Sequence, residues 1–180
     1  MQVCGTAAVS IFLAIIGGSA VLPARADEAC RDFKWDVTQE RALFAGTPTS
    51  TLSGADLKSA PSIEPNRFYQ LQLKPQEQVS FAVTPGKQTP AAGAFAGIAT
   101  VKISKPGNYR FALDAPFWID VVSNGALLPA QDFQGQHDCD APHKIVVFEL
   151  VGTPPFVLQL SGAATPSVRL TITPAPARKL

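Results

Sequence analysis

Phe68-Tyr69-Gln70-Leu71-Gln72-Leu73 sets apolar Leu71 and Leu73 against Gln70 and Gln72. That period of two belongs to a β-strand, whose successive side chains point to opposite faces of a sheet. The alternation continues through Val79 to Val83, Phe95 to Ile103, Tyr109 to Leu113, Phe117 to Ser123, Ile145 to Val151, Phe156 to Leu160 and Val168 to Thr173, about eight strands in all. Pro-Gly, Asn-Gly, Gly-Thr-Pro-Pro and Ser-Gly sequences punctuate the run. Two turns are specific: Lys105-Pro106-Gly107-Asn108 fits a type II turn, and Ser123-Asn124-Gly125-Ala126 fits a primed hairpin turn. Strands that bury one face and expose the other, joined by closely spaced turns, predict an all-β fold: an antiparallel two-sheet sandwich, jelly-roll-like, over residues 61–175.

Upstream the period changes. From Gly46 to Pro65 there is none, and Thr, Ser, Pro, Gly and Asp dominate, so a crossing loop is expected there, with a turn of helix near Ala55 to Lys58. Before it lies the one good helix candidate, a short N-terminal helix at about 37–45. Asp36 is placed to cap it, Gln39 to bond back, and Gly46 and Pro48 to end it. Residues 27–60 therefore read as a helical segment plus crossing loop, with Cys30, Phe33 and Trp35 as anchors. Residues 1–26 read as a signal peptide: an apolar stretch around Ala7 to Ile16 is followed by Ala24-Arg25-Ala26, the small-x-small pattern of a cleavage site after Ala26. Residues 176–180 form a tail.

Composition narrows the class further. Sixteen prolines and 13 glycines favour many short elements over long helices. The formal net charge is +1, and it falls to zero once Arg25 leaves with the signal. Without a basic excess there is no electrostatic footprint for nucleic acid or an anionic membrane. Loss of Cys4 with the signal leaves Cys30 and Cys139, an even pair that predicts a disulfide and a periplasmic or secreted location. The bond would staple the helical segment to a distant loop.

Val101-Lys102-Ile103-Ser104-Lys105-Pro106-Gly107-Asn108-Tyr109-Arg110-Phe111, then Trp118 to Val122, Val146 to Leu150 and Phe156 to Gly162, resemble the bacterial pre-peptidase C-terminal β-sandwich domains, in which a Gly-x-Tyr-x-Phe strand precedes a strand containing Asp. The resemblance implies a jelly-roll-like sandwich that assists or binds and does not catalyse. Cys30-Arg31-Asp32-Phe33-Lys34-Trp35 together with Phe133 to Lys144 is also similar to small exported proteobacterial proteins, some of which carry the label homogentisate 1,2-dioxygenase. Enzymes properly so named are far longer cupin proteins.

Two groups of residues carry candidate chemistry. Both histidines of the chain lie in His137-Asp138-Cys139-Asp140-Ala141-Pro142-His143. Two imidazoles and a carboxylate suit iron, copper or zinc, so His137, His143 and Glu149 are the candidate ligands of a small metal-dependent, dioxygenase-like oxidoreductase. Against that, Cys139 in a disulfide cannot ligate, and Asp138 and Asp140 are ordinary turn residues. Asp132, Asp138 and Asp140 lack the spacing of an EF-hand calcium loop. No Gly-x-Ser-x-Gly elbow marks a nucleophile. The second group is Trp118 and Asp120, which share one strand face opposite Phe117, Ile119 and Val121. They form a ligand platform if exposed, or core if the Phe33 to Phe44 segment covers them. The expectation is a non-catalytic, cofactor-free binding or accessory module for a small ligand, a glycan or an envelope protein.

Overall fold

The computed structural model describes Met1 and residues 30–87, 91–139, 141–152 and 155–175. The expected signal peptide, its cleavage site, Cys4 and the tail at 176–180 lie outside the described residues. No described helix is long and apolar enough to cross a membrane.

The fold is an all-β sandwich of two sheets. The strands, in chain order, are β1 (Thr49–Leu52), β2 (Ser62–Ile63), β3 (Phe68–Gln72), β4 (Lys74–Pro75), β5 (Phe95–Val101) and β6 (Gly107–Leu113), then β7 (Trp118–Ser123), β8 (Ala126–Leu127), β9 (Ala130–Gly135), β10 (Lys144–Leu150), β11 (Phe156–Ala163) and β12 (Ser167–Pro174). One sheet runs β1-β3-β12-β6-β10-β9; the other runs β2-β5-β11-β7-β8, with β4 also on β5. Most pairings are antiparallel. The exceptions lie in the region expected to be a loop, where β1 pairs with β3 and β2 with β5 in parallel. β1 is largely exposed on both faces, so it carries no alternation for a sequence reading to detect.

Seven of the expected strands are present; Val79 to Val83 is not one of them. Its apolar side chains serve a different purpose. Val79 and Phe81 lie against Ala96, Ile98 and Val157 on the outer face of the second sheet. The side-chain amide of Gln159 accepts from the Val83 N–H at 3.1 Å and donates to the Val83 C=O at 3.1 Å. A side chain here takes the place of a neighbouring strand, so the segment lies across the sheet and not beside it.

Between the sheets, Leu71, Phe111, Leu113, Leu150, Phe156, Leu158, Leu160 and Ile172 are completely or almost completely buried. The Asn124-Gly125 turn has the positive φ values, 50° and 75°, of a primed hairpin joining β7 to β8. The Pro106-Gly107 turn differs from expectation: Gly107 has φ 154°, far from the roughly +80° of a type II turn. The Tyr109 hydroxyl instead fixes this corner by donating to the Lys105 carbonyl at 2.7 Å.

The helix α1 (Thr38–Phe44) forms as expected. The Thr38 hydroxyl and then the Thr38 N–H, which donates to Asp36 Oδ1 at 2.9 Å, hold the Asp36 carboxyl below the ordinary carboxylate range. Gln39 does not bond back; it donates to Asn66 Oδ1 at 2.9 Å. The segment lies on the outer face of the first sheet, where Phe33, Val37 and Phe44 join Phe68, Ala112 and Ile145 around the disulfide. Cys30 and Cys139 are bonded across 109 residues, with Cα atoms 5.0 Å apart. Such a bond belongs to an oxidising compartment. Beneath α1, Glu40 Oε1 accepts from Thr173 Oγ1 and lies 3.4 Å from Arg110 Nη1, which also donates to the Asp36 carbonyl at 2.8 Å. Trp35 lies beside the same guanidinium, 5.5 Å from its ring centroid.

Two predictions follow from this covered face. In the chain-entropy account a loop of this length is worth up to about 4.7 kcal/mol. The Cys30→Ser, Cys139→Ser double variant is expected to lose about 2–5 kcal/mol in denaturant unfolding, and a loss near zero would show that the segment stays docked without its staple. For the buried ion pair, Glu40→Ala alone is expected to cost about 3–5 kcal/mol by stranding Arg110. Glu40 Oε2 and Arg110 Nε have no hydrogen-bond partner, so Glu40→Met with Arg110→Leu should recover most of that loss. A double variant as unstable as the single one would contradict this.

Candidate functional site

The site is a groove at one side of the sandwich, and the shortness of β8 creates it. β8 pairs only with Val122 and Ser123 of β7. After Leu128, whose N–H donates to the Val121 carbonyl at 2.8 Å, the chain crosses by Pro129 to the other sheet and becomes β9. The first half of β7 is therefore left without a neighbour on that side. A groove of about 470 Å³ opens there, with Ile119, Val146 and Phe148 reaching it from the core and Leu127, Leu128, Pro129, Ala130 and Phe133 along the crossing. That volume falls in the range of small-molecule sites.

Apolar groups dominate the lining, and several are exposed: Phe133 at 67%, Leu127 at 39% and Trp118 at 38%. Isolated apolar residues at a surface are ordinary, but a group concentrated at one concavity makes it the candidate site. Two charged side chains join them, Asp120 and Lys144. Asp120 is buried and fully engaged: Oδ1 accepts from Trp118 Nε1 at 2.9 Å and Oδ2 from the Gly86 N–H at 3.0 Å. This pairing fixes the indole edge. Lys144 Nζ donates to the Phe117 carbonyl at 3.1 Å and sits 5.5 Å from the Trp118 ring centroid. Burial holds the Lys144 ammonium below its ordinary pKa; nearby Lys87 pushes the same way, and Asp120 opposes both.

Trp118 and Asp120 do share the outer face opposite Phe117, Ile119 and Val121, which lie in the core. The cover expected over them is elsewhere. The Phe33 to Phe44 segment packs on the other sheet, where Trp35 is partly buried; residues 79–87 reach over the Trp118 sheet to its edge, where Gly86 lies against Asp120 and the Trp118 indole. Lys144, Val146, Phe148 and Phe133 were missed by sequence reasoning. Phe133 lies outside the expected strands, and Lys144 looks like an ordinary strand residue until β9 and β10 are seen to wall the groove.

The histidine cluster is only partly assembled. The rings of His137 and His143 approach to 5.5 Å between centroids, and Cys139 is held in the disulfide. Glu149 is exposed near the far end of β10, six residues from His143, which in a strand is about 20 Å. The three do not converge. Among the described residues no three His, Cys, Asp or Glu side chains gather to hold a metal ion. Of the acids weighed for calcium, Asp132 is paired with Lys34, and Asp140 lies outside the described residues. No protein-family model and no curated protein matches the chain.

The state of Lys144 is open to measurement. Its folded-state pKa is depressed, so the unfolded chain holds that proton more tightly, and the resulting destabilisation is relieved as pH rises through the folded pKa towards 10.5. Lys144→Met removes this dependence. The stability of wild type relative to Lys144→Met, from denaturant midpoints, should therefore improve between neutral pH and 10.5. A difference that stays constant over that range would refute the burial of the ammonium.

Proposed function

We propose that the protein is an exported, non-catalytic binding module, periplasmic or secreted, whose β-sandwich takes a small apolar ligand in the groove beside Trp118. The observation that carries this reading is the lining itself, a concave apolar surface with exposed Trp118, Leu127 and Phe133 and only two charged side chains. A glycan would need several convergent hydrogen-bonding groups; here both Asp120 oxygens are already bonded within the protein. The disulfide and the signal-like residues 1–26 support export. The likeness to pre-peptidase C-terminal sandwiches supports a role that binds or assists.

The test uses N-phenyl-1-naphthylamine, an uncharged apolar fluorophore, with the Trp35→Phe variant so that Trp118 is the sole indole. Saturable binding with quenching of Trp118 emission is expected. Leu127→Ser with Phe133→Ser, both exposed and therefore tolerated by the fold, should weaken it about tenfold. Non-saturable binding, or affinity unchanged in the double variant, would refute the groove as the site.

A further inference from the structure

The groove has an electrostatic polarity that its apolar lining conceals. Lys144, Val146 and Phe148 alternate along β10 and all line it, forming a row about 13 Å long with an ammonium at one end and apolar groups along the rest. Among the described residues Lys144 forms no ion pair; its protein partners are the Phe117 carbonyl and the Trp118 ring. Asp120, the acid that acts on Lys144, has both oxygens committed to Trp118 and Gly86. Lys87 adds a second cation close enough to act on Lys144. Among the described residues that act on it, the balance is one positive charge in excess beside an apolar trough.

An ammonium has three donors, and among the described residues one is used. A carboxylate arriving with an apolar body would supply the missing counter-charge and accept a charge-assisted hydrogen bond, which is stronger than a neutral one. A cationic amphiphile would place like charge against Lys144. A neutral one would leave the ammonium no better paired than before.

Resting on the reading of the groove as a ligand site, we infer that its ligand is an amphipathic monoanion, a medium-chain carboxylate whose hydrocarbon chain follows Val146 and Phe148 and whose head pairs with Lys144. Trp118 flanks the head group, and Leu127 and Phe133 close over the chain.

The experiment compares decanoate, 1-decanol and decyltrimethylammonium as competitors of bound N-phenyl-1-naphthylamine on the full chain with its disulfide intact. Decanoate should compete at least about tenfold better than 1-decanol, with the cation weakest, as a charge-assisted hydrogen bond requires. Lys144→Met, its fold checked by circular dichroism, should abolish the preference for decanoate over 1-decanol, read as the ratio of their direct affinities by isothermal titration calorimetry, and Lys144→Arg should keep it. Equal competition by decanoate and 1-decanol, or a preference that survives in Lys144→Met, would overturn the anion assignment and leave the apolar groove standing. Failure of the neutral probe itself to bind wild-type protein would overturn both.

Discussion

Each sheet of this sandwich is apolar on both faces, and the arrangement of the molecule depends on how the second face of each is hidden. The inner faces meet in a common core. The outer faces carry Phe68, Ala112 and Ile145 on one sheet and Ala96, Ile98 and Val157 on the other, too much apolar surface to leave in water. The N-terminal segment with α1 closes the first, and residues 79–87 close the second. Both covers are irregular or short, so each needs added restraint: a disulfide and a buried Glu40–Arg110 pair in one case, the Gln159 amide and Asp120 in the other.

The groove lies at the margin of the second cover, which meets it at Gly86 beside Asp120 and Trp118. β8 ends after two residues and the chain crosses to the other sheet, so the side of the sandwich between β7 and β9 is closed by Leu127, Leu128, Pro129 and Phe133 alone. The same Asp120 that anchors the second cover through Gly86 also holds the indole of Trp118 at the groove. The second cover and the groove therefore share one carboxylate. Lys144 comes from the opposite sheet and bridges to the Phe117 carbonyl, so the two walls of the groove are joined at its charged end.

The core of the fold was legible in the sequence because each strand that buries an inner face announces it by period two. Leu71, Phe111, Leu158 and Ile172 are such positions, and all are fully buried. The elements without that signal were lost. β1 is exposed on both faces, and β9, Ala-Gln-Asp-Phe-Gln-Gly, reads as polar loop with one stray phenylalanine. Val79 to Val83 failed in the opposite way, since alternating apolar residues also suit a segment laid over a sheet. For the site, Trp118 and Asp120 were visible as a pair on one face. Their partner Lys144 was not, because a lysine that starts a strand carries no mark of the wall opposite. The disulfide followed from counting cysteines, whereas the face its segment covers is a matter of tertiary placement that no local pattern encodes.

The central claim, that the groove beside Trp118 is where this protein binds, is tested most directly by mapping backbone amide shifts in a nuclear magnetic resonance titration with decanoate. The account predicts perturbations concentrated at residues 118–120, 127–133 and 144–148, saturating together with one dissociation constant. Perturbations centred on His137 and His143, or spread without saturation over the whole surface, would contradict it.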